Sequence, residues 1–108
     1  MTEQEQASLI TVINQLHDLE RKVQKMNDSR SLERNLRRMR AGLEGMGFSW
    51  HDPAGESYDE TRTDCEASLV GDATGALVIT ETIKPLIRHN HEGFPKIIQR
   101  AVVVVGKK

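Results

Sequence analysis

At 108 residues, 37% hydrophobic and only 4% aromatic, the chain has room for one domain, or for a helical module beside a β module of about 60 residues whose burial is marginal without help. A formal net charge of -1 argues against a nucleic-acid partner, the single Cys65 excludes an internal disulfide, and no apolar run approaches the roughly 20 residues that span a bilayer. Charge is nonetheless segregated: residues 1–50 carry eight basic and seven acidic groups, 51–81 one and eight, 82–108 six and one. The opening Met1-Thr2-Glu3-Gln4-Glu5 has neither a basic start nor an apolar signal core, so a cytoplasmic protein is expected.

The first half has helical periodicity. Leu9, Val12, Leu16, Leu19, Val23 and Met26 follow one another at alternating steps of three and four, an a/d heptad pattern, and Leu32, Leu36, Met39, Leu43 and Met46 resume it. Between them the polar Asn27-Asp28-Ser29-Arg30-Ser31 breaks the phase, with Ser29 or Ser31 suited to cap a new helix. One long helix with a phase slip and two helices folding back both fit; two helices are preferred. Ile10 and Ile13 widen the first stripe beyond a/d, as in a bundle with more than one neighbour. The expectation for 1–46 is a helical dimerisation region, a four-helix bundle in the homodimer, with Leu9, Val12, Leu16, Leu19, Val23, Met26, Leu36, Met39 and Leu43 at the seam. Arg30, Arg34, Arg37, Arg38 and Arg40 form either a solvated helix face or a docking strip for an acidic protein surface.

Gly42, Gly45 and Gly47 end the helical text, where left-handed backbone is needed. Phe48 and Trp50 flank the exit, and Asp52-Pro53-Ala54-Gly55-Glu56 reads as turns. Strands are expected at 65–70, 77–84 and 97–105, with a loop from His89 to Pro95. Along 77–84 the alternation sets Leu77, Ile79 and Ile83 on a buried face and Thr80, Thr82 and Lys84 on a wet one. The fold class is therefore α+β, with 47–108 a small antiparallel β domain.

The order of pieces is similar to a known family. A helix ending in Met46-Gly47-Phe48 is followed by Asp52-Pro53-x-Gly55-Glu56-x-Tyr58-Asp59, by Cys65-Glu66-Ala67, and by Ile83-Lys84-Pro85. A hairpin then closes on Ile98-Gln99-Arg100-Ala101 and the valine run to Gly106. From Ser31 to Lys108 this resembles the GrpE family of nucleotide exchange factors. The resemblance implies a homodimeric co-chaperone whose β head binds the nucleotide-binding domain of a DnaK-type chaperone and releases ADP, with no bond made or broken and no cofactor. It implies chaperone contacts at Ser31, Arg34, Ile83, Lys84, Lys96, Arg100 and Val105. The chain departs from the family at Cys65, at Pro85-Leu86, at Gln99, and in a hairpin lengthened to hold His89, His91 and Phe94; Ser31 stands where a glycine is usual.

Two other classes of function remain. A coiled-coil dimeric adaptor shares the dimer but affects no chaperone's nucleotide. A zinc site from His89 and His91 with Cys65 and His51 or Asp52 has suitable ligands but no four-ligand spacing, so no metal is expected. Cys65 in a strand suits a small buried hydrophobe better than a nucleophile.

Overall fold

In a computed structural model that describes residues 1–72 and 74–108, Thr2 opens the first helix, α1 (Glu3–Gln24), through a capping box. Its hydroxyl accepts from the Glu5 amide at 3.0 Å while the Glu5 carboxylate accepts from the Thr2 amide at 3.4 Å, a pairing that contributes about 1 kcal/mol to a helix start. The second helix, α2, spans Arg30–Gly45. Asp28 sits between the two with φ 54°, a left-handed conformation that Asp tolerates and that lets the chain reverse. Ser29 holds the N-cap position, but its hydroxyl donates to the Glu33 carboxylate at 3.0 Å instead of capping the backbone. Among the glycines expected to end the helix, Gly47 alone is left-handed, at φ 89°; Gly42 and Gly45 lie inside α2.

The chain divides into two compact units, Met1–Ser49 and Trp50–Lys108. In the first, α1 and α2 form an antiparallel hairpin. Arg40 donates to the Glu20 carboxylate from Nε and Nη2, at 3.2 and 3.3 Å, tying the helices together. Leu16, Val23, Leu36 and Leu43 are buried, as are Ile13 and His17.

Among the described residues seven strands follow: β1 (Phe48–His51), β2 (Ser57–Tyr58), β3 (Cys65–Leu69), β4 (Leu77–Lys84), β5 (Leu86–His91), β6 (Phe94–Gln99) and β7 (Ala101–Lys107). They form a three-stranded sheet ordered β1-β5-β6 and a four-stranded sheet ordered β2-β4-β7-β3. The second sheet is mixed, which corrects the expected antiparallel domain: β7 runs antiparallel to β4 but parallel to β3, with Cys65 opposite Ala101 and Leu69 opposite Val105. β3 and β7 are far apart in sequence, and the alternation within a strand says nothing about the direction of its neighbour. Cys65, Ile79, Leu86, Ala101, Val103 and Val105 make up one buried cluster, with Tyr58 and Leu77 packed against it.

Three expectations change here. Phe48-Ser-Trp50-His is a strand with Phe48 and Trp50 buried and the residues between exposed. The expected loop 89–95 is a hairpin of β5 and β6 turning on Glu92-Gly93, and the expected long strand 97–105 is two strands divided at Arg100. The buried face of β4 also changes partway along. Its register against β7 slips between Ile79 and Glu81 and again between Thr82 and Lys84. Each slip is a bulge that inserts one unpaired residue, so Thr82 turns inward to 1% exposure and Ile83 outward to 55%.

Candidate functional site

Two surfaces carry candidate residues, one in each unit. On the helical hairpin, the apolar stripe of α1 is wider than α2 can cover. Its inner flank is buried, whereas Val12, Leu19 and Met26 stay between 44% and 51% exposed, and Met39 and Met46 of α2 are exposed to the same degree. Val12, Leu19, Met39 and Met46 rim an open apolar groove of about 790 Å³ with Leu16 and Leu43 at its floor. Gly42 also lines it, and a Cβ there would meet nothing within 4 Å. The expected seam thus splits. Leu16, Val23, Leu36 and Leu43 close the hairpin inside one chain; Val12, Leu19, Met26 and Met39 are open; Leu9 is half-buried.

The arginines of α2 lie opposite this apolar face. Arg30, Arg34, Arg37 and Arg38 are exposed, while Arg40 is half-buried on Glu20. Ser31 is exposed in the first turn of α2.

In the β unit the expected contact residues separate into three environments. Ile83, Lys84 and Lys96 are exposed, and Ile83 is held outward by the bulge. Arg100 is half-engaged within the fold. Its guanidinium donates to the Thr63 carbonyl at 3.0 Å, to the Cys65 carbonyl, and to the Glu66 carboxylate at 3.4 Å, clamping the start of β3 to the start of β7. Val105, at 1% exposure, is a core residue and offers no side-chain surface to a partner, because alternate residues of β7 face inward and Val105 falls on that side.

One polar network was missed at the level of sequence. Arg62, the lone cation of 51–81, pairs with Asp64 at 3.1 Å and with Glu56 at 3.2 Å, and also donates to the Ser57 carbonyl. Glu56 reaches His51 on its other side. The Arg62 guanidinium holds the Asp64 carboxyl below its ordinary 3.8, and Asp64 in turn stabilises the charge on Arg62. A single arginine in so acidic a stretch is the signal that marks it. Burial, then the Asp64 carboxylate, pushes the Cys65 thiol up, so it is protonated and inert at neutral pH.

The structure does not assemble the zinc ligand set. Cys65 lies in the four-stranded sheet and His89 and His91 on β5 of the other, and among the described residues no group of three or more His, Cys, Asp or Glu side chains could hold a metal ion. Among the described residues no helix is long and apolar enough to cross a membrane. Searches of protein-family models, curated proteins and solved structures find no match to the chain.

Proposed function

We propose that the chain is a GrpE-like, homodimeric nucleotide exchange factor: two helical hairpins pack as a four-helix bundle, and the β head binds the nucleotide-binding domain of a DnaK-type chaperone and promotes ADP release. The observation that carries the reading is the open groove of the hairpin. A face built from Val12, Leu19, Met39 and Met46 at helical spacing, exposed in one chain, is what a second hairpin of the same kind would cover. Ile83 and Lys84, exposed at the end of β4, and Lys96, exposed on β6, offer apolar and cationic contacts suited to an acidic lobe. Ser31 and Arg34 add contacts from α2; Arg100 and Val105 support β7, the neighbour of the β4 strand that carries Ile83 and Lys84.

Such a factor needs no catalytic group. It must bind the open, nucleotide-free form of the chaperone better than the ADP-bound form, and only that difference shifts the population. Because coupling between two ligands is reciprocal, ADP must weaken the factor's affinity by the same ratio that the factor weakens ADP. Calorimetric titration of the chain into a DnaK-type nucleotide-binding domain tests this. Tighter binding to the nucleotide-free domain is expected, and Lys84→Glu with Lys96→Glu should weaken it as like charges meet. Equal affinity for both forms, or none, favours the dimeric adaptor.

A further inference from the structure

The chain has four aromatic side chains. Phe48 and Trp50 are buried and Tyr58 is packed against the core, but Phe94 is 77% exposed, more than any other large apolar residue described. It stands at the tip of the β5–β6 hairpin. That hairpin closes in two residues, Glu92 at φ 53° and Gly93 at φ 85°, the left-handed pair of a type I′ turn. The tip is therefore a tightly connected presentation of Phe94, so docking it would cost little ordering entropy.

Its neighbours along the strands are polar or basic, and the one carboxylate at the tip, Glu92, lies 3.9 Å from the His91 ring. Pairing puts His91 opposite Phe94 and His89 opposite Lys96, so these four side chains share one face of the hairpin. Arg88 stands on the other face, opposite Ile97. Neither Lys96 nor Arg88 has a carboxylate partner among the described residues. β6 is also the edge of its sheet, and Pro95 and Lys96 on that edge disfavour addition of another strand. What remains is docking by side chains: an aromatic anchor on the same face as the exposed Lys96 ammonium, which is complementary to an apolar pocket with an acidic rim.

We infer that the β5–β6 hairpin is a docking prong, with Phe94 seated in an acid-rimmed apolar pocket of the chaperone's nucleotide-binding domain and Lys96 engaging its rim. This rests on the exchange-factor reading. The test compares ADP release from a DnaK-type chaperone of the same cell with wild-type chain and with Phe94→Ala, both checked for unchanged helicity and sedimentation. Phe94→Ala should raise the half-maximal concentration at least tenfold, the loss typical of a buried aromatic anchor, and Lys96→Ala should raise it less and in a salt-dependent way. Wild-type release by Phe94→Ala overturns the prong and leaves the exchange factor standing. No acceleration by the wild type removes the exchange factor and the prong's partner with it. Two further outcomes overturn the assignment in favour of another occupant: Phe94-dependent binding to anionic lipid vesicles with no effect of Phe94→Ala on release, and dissociation of the dimer by Phe94→Ala.

Discussion

The Asp64 carboxylate gains two charge-assisted hydrogen bonds from Arg62, at 3.1 Å each, and is only about a quarter exposed. Asp64→Asn should therefore cost about 1–2 kcal/mol at neutral pH, measured by urea unfolding. The pH dependence follows from the direction of the shift. The folded pKa lies below the ordinary 3.8, so the contribution is fully present above that value and disappears as pH falls through the lowered folded pKa. The gap between wild type and variant should narrow as pH falls below 3.8; a gap that is the same at neutral and at acid pH contradicts the ion-pair account. Arg100 teaches a related lesson. The family resemblance implied it as a contact, but its guanidinium already donates to two backbone carbonyls and to Glu66, and such commitments depend on long-range pairing that no local pattern displays.

At the scale of elements, the helices were largely legible and the strands less so. Heptad spacing and the polar break at 27–31 fit one slipped helix as well as two, and the structure has the preferred two. Periodicity marks a stripe but not which flank meets the partner helix, so Leu16 and Leu19 look equivalent although one is at 5% exposure and the other at 44%. In β4 the alternation put Ile83 inside and Thr82 outside; the two bulges that exchange them are set by the register against β7. His89-Asn90-His91 read as loop because the outer part of the hairpin, from Asn90 to Ile97, is exposed and shows no apolar alternation, and Glu92-Gly93 lacks the usual Asn-Gly signature. The split seam changes which substitution tests dimerisation. Leu19→Asp leaves the hairpin's inner contacts intact but would bury a carboxylate twice in a symmetric dimer, at several kcal/mol. Sedimentation should report a folded monomer at micromolar concentration, and a variant that stays dimeric would sink the four-helix bundle.

For the whole molecule, composition and periodicity were enough for α+β architecture, helices first, because local pattern decides element type. They could not give the parallel β3–β7 pairing that makes the second sheet mixed, since that contact joins segments more than thirty residues apart. The proposed function rests on two surfaces, one in each unit: an apolar groove on a helical hairpin, and the exposed Ile83, Lys84, Phe94 and Lys96 of the β unit. The most direct test is the rate at which labelled ADP leaves a DnaK-type chaperone as the chain is added. The account predicts acceleration that saturates with concentration and weakens as salt screens Lys84 and Lys96. A release rate that stays at the chaperone's basal value at every concentration would contradict it.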